Sequence, residues 1–80
     1  MIVRPGSLVP MPGHAESIPV SRLRVVDNVT GEEVRLATCH DTETGATHVL
    51  QVKDGALVPD EDGDFLTEPH PNPCHLEVRG

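Results

Sequence analysis

Two cysteines and four of the five histidines lie in two short stretches of the chain, and side chains of these types can bind zinc. Cys39, His40 and His48 lie in "CHDTETGATH", whereas His70, Cys74 and His75 lie in "EPHPNPCH". The Cys-x-x-Cys spacing of ribbon-type zinc sites is absent, and adjacent residues of a strand point to opposite faces of a sheet. We therefore expect no bound metal or cofactor. The alternative is a small zinc-stabilised binding module whose ligands would be Cys39, His48, His70 and Cys74.

The acidic run "DEDGD", residues 60–64, invites comparison with a calcium-binding loop. An EF-hand loop has a glycine at position six, so Gly63 would place Val58 at position one and Pro69 at position twelve. Both positions require a carboxylate, which neither residue has. We therefore interpret the run as an acidic turn in contact with solvent.

Nucleophilic catalysis would need a cysteine beside a histidine base. Cys39 with His48, or Cys74 with His70, has the right residue types. Either pair would also need a pocket that excludes water, and a chain of 80 residues with Phe65 as its one aromatic side chain has little material to build one. We expect no catalytic residues and no enzymatic activity.

The composition favours one small all-β domain with a thin core. Eleven of the 80 residues are valine, which suits strands, and 15 are glycine or proline. The net charge of −7 argues against nucleic acid as a partner, because phosphate binding needs a basic surface. No apolar run approaches the roughly 20 residues that span a bilayer, and proline interrupts the N-terminus too often for a signal peptide. We expect synthesis in the cytoplasm, no membrane association and reduced cysteines.

Residues 1–20 contain four prolines and only two charged side chains, Arg4 and Glu16. Proline at this spacing disfavours helices and most sheet pairing and favours an extended backbone. The segment is either a disordered leader or an extended arm that becomes ordered on a neighbouring subunit. The large apolar side chains that a partner could bury are Ile2, Val3, Leu8, Val9, Met11 and Ile18.

Residues 21–58 predict consecutive β-hairpins. The loops "DNVTGEE" and "DTETGAT" share an Asp-x-x-Thr-Gly pattern, which is typical of a turn whose glycine has the left-handed conformation. We expect positive φ at Gly31 and Gly45, and a third tight turn at Gly55. Residues 59–80 predict mostly loop with short strand fragments. The chain thus divides into an extended arm, residues 1–20, and a small β-domain, residues 21–80, that is rich in loops at its C-terminal end.

The register follows from the assumed loop lengths. A four-residue first loop pairs Val25 with Val34 and Leu23 with Leu36. A three-residue second loop pairs His40 with His48, Thr38 with Leu50 and Leu36 with Val52. The resulting three-stranded meander, which is sandwich-like or barrel-like, buries one apolar stripe made of Leu23, Val25, Val34, Leu36, Leu50 and Val52.

The segment "LRVVDNVTGEEVRLATCHDTETGATHVLQVKDG", with its paired turns, resembles small proteins encoded near the head genes of tailed bacteriophages. In those proteins short β-hairpins follow an extended N-terminal arm. The resemblance covers about residues 21–55 and assigns no role to the cysteines or histidines. It implies a structural virion protein, such as a capsid decoration, cement or minor head protein, that binds in many copies across neighbouring subunits of the major capsid protein or another large assembly.

Three classes of function therefore remain. A structural assembly protein would explain the thin core and the proline-spaced N-terminus. A zinc-stabilised module would explain the cysteines and histidines. An inhibitor that mimics nucleic acid with its acidic surface would explain the net charge of −7. Of the three, the assembly protein accounts for most features of the sequence.

Overall fold

The structure, a computed structural model, describes residues 1–79 and consists of short antiparallel strands joined by turns. The strands are β1 (Ile2–Val3), β2 (Leu8–Val9), β3 (Ile18–Pro19), β4 (Leu23–Asp27), β5 (Ala37–Asp41), β6 (Thr47–Leu50), β7 (Val52–Lys53), β8 (Ala56–Leu57), β9 (Thr67–Pro69) and β10 (Cys74–Val78). A 3-10 turn at Val20–Arg22 leads into β4. The predicted all-β fold class is confirmed. The predicted β-domain ended at Gly80, which lies outside the described residues.

Four strands form the largest sheet, in the order β1-β5-β6-β9, and all of its pairs are antiparallel. Three two-stranded sheets, β10-β4, β2-β3 and β7-β8, complete the described fold. The radius of gyration is 13.3 Å, whereas a compact domain of this length would have about 12 Å. The strands are thus spread over several small sheets, and little of the chain lies in a shared interior.

The two Asp-x-x-Thr-Gly loops adopt the same turn. In each, the glycine N–H donates to the carbonyl of the leading aspartate, at 2.9 Å for Gly31 and 2.8 Å for Gly45. Gly31 has φ of 75° and Gly45 has φ of 80°, which is the left-handed conformation that the pattern requires. The third turn has positive φ at both central residues, Asp54 and Gly55, which is the type I′ geometry of two-residue hairpins.

The register predicted for the second hairpin is wrong by one residue. The strands pair Cys39 with His48 and His40 with Thr47, so that His40 does not face His48. The loop has four residues instead of three, because Asp41 N–H donates to the carbonyl of Ala46. This loop length is the same as that of the first hairpin, where the pairing of Val26 with Glu33 agrees with the predicted register.

The first hairpin ends after a few residues and does not continue into the second one. Glu33 forms an isolated bridge to β4, and the chain then turns at Arg35 and Leu36 before β5 begins. Leu36 has φ of 63°, a conformation that costs a non-glycine residue about 1–2 kcal/mol. The predicted pairing of Leu23 with Leu36 is therefore absent. Along its whole length β4 pairs instead with β10, from Leu23–Val78 to Asp27–Cys74.

The predicted apolar stripe does not form the core. Of its six members only Leu23 is buried, whereas Leu36 and Val52 are about half exposed. Val25, Val34 and Leu50 have intermediate exposure. The stripe is divided because Leu23 and Val25 lie on β4, whereas Leu50 lies on β6 and Val52 on β7, and β4 pairs with neither of those strands.

The core is built largely from the N-terminal segment. Val3, Val9 and Ile18 pack with Leu23 in one buried cluster, and Met11, Val20, Leu76 and Val78 pack against its edges. β1 forms an edge of the four-stranded sheet, and β2 pairs with β3. These three residues contact their own chain, whereas the division into an arm and a domain, and the docking of the arm on a neighbouring subunit, stay predictions. Ile2 and Leu8 are exposed, so their contact with a partner stays a prediction.

Among residues 1–79, no helix has the length and apolar character that crossing a membrane requires.

Adjacent residues of β2 provide a matched test of the N-terminal packing. Val9 is 2% exposed, whereas Leu8 is 62% exposed. We expect Val9→Ala to lower the free energy of unfolding by about 2 kcal/mol, because two buried methyl groups are lost and a cavity remains. We expect Leu8→Ala to change it by no more than about 0.5 kcal/mol. Urea denaturation measures both, and equal small effects would mean that residues 1–20 do not pack on the domain.

Candidate functional site

The cysteines and histidines singled out by the sequence lie in separate small contacts. Cys39 Sγ lies 3.6 Å from His48 Nδ1 across the second hairpin. Cys74 is buried and its thiol contacts the carbonyl of Asn72 at 3.4 Å. His70 Nε2 lies 2.6 Å from a carboxylate oxygen of Asp27. Within residues 1–79 no three His, Cys, Asp or Glu side chains form a group that could hold a metal ion, so the four alternative zinc ligands are not brought together.

Both thiols are free. Burial raises the pKa of the Cys74 thiol, which makes it a weak nucleophile at neutral pH. His40 is also buried and its Nδ1 lies 2.7 Å from the hydroxyl of the buried Thr47. Burial lowers the pKa of His40 below its ordinary value of 6.5, so that the neutral ring is favoured. These two side chains pack inside the fold.

Asp27 is the centre of a buried polar cluster that the sequence analysis treated only as a turn residue. The residue is 3% exposed. One carboxylate oxygen accepts the backbone N–H groups of Val29 and Thr30, at 2.7 and 3.0 Å. The other accepts hydrogen bonds from His70 at 2.6 Å and from the Asn72 amide at 3.0 Å. The carboxylate therefore links the first turn to the proline-rich loop.

The hydrogen bonds from His70 and Asn72 hold the pKa of Asp27 far below its ordinary value of 3.8, although burial opposes them. The carboxylate is thus ionised throughout the physiological range. Because all four donors point at it, the cluster is satisfied only while Asp27 carries its negative charge.

The second turn holds the same loop from the other side. The carbonyl of Gly45 accepts the N–H of Cys74 at 2.8 Å, and the carbonyl of Pro73 accepts the N–H of Asn28 at 3.0 Å. A Cβ on Gly45 would lie 3.1 Å from the Cys74 carbonyl oxygen, whereas a Cβ on Gly31 would meet nothing within 4 Å. The two repeated turns thus hold residues 72–75 between them. We call this arrangement, with the Asp27 cluster, the loop clasp.

An open groove lies beside β4, where the first hairpin and β5 separate. Its volume is about 460 Å³, within the range of small-ligand and peptide sites. The apolar side chains of its lining are Val3, Val20, Leu23, Val25, Val34, Leu36, Ala37 and Leu76. Four of the six residues of the predicted apolar stripe therefore line this groove. Leu36, the residue with strained backbone, is half exposed in its wall.

Four arginines also line the groove, namely Arg4, Arg24, Arg35 and Arg79, together with the single carboxylate Glu33. The rest of the 80-residue chain has twelve carboxylates and only two basic side chains. The lining of the groove therefore has more basic than acidic side chains, although the chain as a whole has a net charge of −7.

Among the described residues, two of the groove arginines form salt bridges with glutamates and the other two form none. Arg24 pairs with Glu77, and Arg79 with Glu33, each at 2.8 Å. Arg4 and Arg35 are exposed and form no salt bridge within residues 1–79. They are consequently available to carboxylates of a partner.

The sequence analysis did not predict the groove. The available signal was the placement of arginine next to the apolar stripe, at Arg24 between Leu23 and Val25 and at Arg35 between Val34 and Leu36. In the predicted meander these arginines would alternate with the stripe and lie on the opposite face of the sheet. They surround an opening because the sheet does not close there.

No family model matches this sequence, and no curated protein or solved structure shows significant similarity to it.

Asp27 and Asp41 occupy the same position of the two repeated turns and form a matched pair for mutation. Asp27→Asn places an amide NH2 group against hydrogen-bond donors in either orientation, so we expect a loss of more than about 2 kcal/mol of unfolding free energy. Asp41 accepts backbone N–H groups at the surface and lacks the buried partners. Asp41→Asn should cost less than about 1 kcal/mol. Urea titrations at pH 7 measure both, and equal losses would contradict the loop clasp.

The same cluster predicts how stability depends on pH. The folded-state pKa of Asp27 is depressed, so its contribution is complete above its ordinary pKa of 3.8 and is lost as the pH falls toward the folded value. The pKa of His40 is also lowered, so protonation of the unfolded chain reduces stability as the pH drops below 6.5. In the Asp27→Asn variant the free energy of unfolding should no longer show the decrease below pH 3.8 that Asp27 causes. The decrease below pH 6.5 that His40 causes should remain unchanged.

Proposed function

We propose that this chain is a non-enzymatic structural protein that holds a neighbouring subunit of a multi-copy assembly in its arginine-lined groove. The observation that carries the proposal is the concentration of four of the six basic side chains around one apolar groove. Burial of an apolar surface of this kind favours binding, and it must exceed the entropy lost when the two partners associate. The arginines select the partner by charge and increase the rate of encounter.

The chemistry of the groove defines the partner segment. Carboxylates would pair with Arg4 and Arg35, which are free of salt bridges within the described chain, and one or two large apolar side chains would occupy the floor. Arginine suits this task because its planar guanidinium binds a carboxylate through two hydrogen bonds. The expected partner is therefore an acidic protein segment with an apolar anchor.

The more specific proposal is that the protein is a component of a virion. It is supported by the resemblance of residues 21–55 to small head-associated proteins of tailed bacteriophages, and by the exposure of Ile2 and Leu8 on the N-terminal strands. The major capsid protein is then the proposed partner of these exposed N-terminal strands, and many copies making modest contacts would give strong retention. Mass spectrometry of particles purified from the source of this sequence should find the chain in fixed stoichiometry. Its absence from such particles would contradict the virion role.

The groove can be tested with two probe peptides. In one, glutamate and leucine alternate around a central phenylalanine, and in the other lysine replaces every glutamate. We expect the acidic peptide to shift the amide resonances of residues 20–25 and 33–39, with a Kd that rises as salt screens the charges. The lysine peptide should bind at least ten times more weakly.

Matched variants locate the binding. Arg35→Glu reverses a free charge of the groove and should weaken the acidic peptide at least tenfold. Lys53→Glu reverses an exposed charge outside the groove and should leave the Kd unchanged. Equal binding of both peptides, or resonance shifts confined to other surfaces, would contradict the proposed function.

A further inference from the structure

The loop around residues 60–64 has the chemistry that the groove requires. Asp60, Glu61, Asp62 and Asp64 place four carboxylates within five residues. Phe65 and Leu66, which follow directly, are 48% and 41% exposed. Phe65 is the one aromatic side chain of the Phe, Tyr and Trp types in the sequence, and about half of it is exposed to solvent instead of being buried in the small core. Exposed aromatic residues are typical anchors of protein interfaces.

Hydrogen bonds within the acidic loop hold its backbone in one conformation. A carboxylate oxygen of Asp60 accepts the N–H groups of Asp62 and Asp64, at 2.8 and 3.0 Å. The backbone N–H of Asp60 donates to the Asp64 carbonyl at 2.7 Å, and Phe65 bridges to Pro59. A loop that is held by its own hydrogen bonds loses little conformational entropy on binding.

We propose that the occupant of the arginine-lined groove is the acidic loop, residues 58–66, of a second copy of this chain. The inference rests on the proposed function of the groove and names its partner. Carboxylates of the loop pair with Arg4 and Arg35, and Phe65 with Leu66 covers the apolar floor. The contact joins the arginine-lined groove to the densest acidic segment of the sequence.

The two surfaces share no residue, so each copy can use both at once. A contact between the groove of one copy and the loop of the next is a head-to-tail contact. Repeated contacts of this kind form a closed ring if the rotation between successive copies adds up to a full turn, and an open filament if it does not. This geometry gives a small protein a way to link its neighbours into a lattice on a larger particle. A copy in which one of the two surfaces is mutated can therefore make only one contact of this kind.

Sedimentation velocity of the full chain tests the proposal. We expect the average mass to rise with protein concentration in low salt and to return toward that of a monomer in about 0.5 M salt, because screening removes the charge attraction. Arg4→Glu with Arg35→Glu, called the groove variant, and Asp62→Lys with Phe65→Ser, called the loop variant, should each weaken self-association at least tenfold. These residues are exposed, and circular dichroism verifies that each variant is folded.

Mixing the two variants is the decisive step. The groove variant retains a normal loop and the loop variant a normal groove, so a mixture should form a one-to-one dimer and nothing larger. Val29→Ser and Lys53→Glu change an exposed apolar and an exposed basic side chain away from both surfaces, and this control should associate like the wild type.

The outcomes separate this inference from the proposed function. A wild-type chain that stays monomeric at millimolar concentration in low salt, while the acidic probe peptide still binds, would overturn self-association and leave the groove as a site for another protein. Self-association that survives both double substitutions would also overturn the inference. Failure of the mixed variants to form a dimer would show that the contact is not groove to loop.

Discussion

The buried carboxylate of Asp27 is the interaction on which the rest of the structure depends. It receives four hydrogen bonds, two from its own turn and two from the proline-rich loop that precedes β10. A buried charge is tolerated only when its partners are in place. The carboxylate consequently joins the first turn to His70 and Asn72, next to the end of the β4–β10 pair where Asp27 faces Cys74.

The loop clasp has a consequence for β5. Because β10 occupies one edge of β4 and the short stretch around Glu33 the other, β5 cannot pair with β4. The chain leaves the first hairpin through the left-handed Leu36 and begins a separate sheet. The space between the two sheets is the groove, and its apolar floor is a surface that a continuous meander would have covered.

The sequence predicted the local features well and the long-range ones poorly. The strands, the repeated turns and the left-handed Gly31 and Gly45 follow from valine content and turn chemistry, which act over a few residues. The repeat also contained the information for the correct register of the second hairpin. Two identical turns imply two loops of equal length, whereas the predicted register used loops of four and three residues. By contrast, the pairing of β4 with β10 joins residues about 50 positions apart, and no local pattern specifies it. The packing of Val3, Val9 and Ile18 against Leu23 was not predicted, because the proline spacing of residues 1–20 suggests an unpaired segment.

The pairing of β4 with β10 leaves the stretch before β5 free to line an open groove. Interstrand nuclear Overhauser effects between backbone protons in the uniformly labelled chain test it most directly. The account predicts a ladder of contacts from Leu23–Val78 to Asp27–Cys74, and none between the backbones of Leu23 and Leu36. A ladder that joins Leu23 to Leu36, with no contacts from β4 to residues 74–78, would contradict it, since the groove would then be closed by a meander.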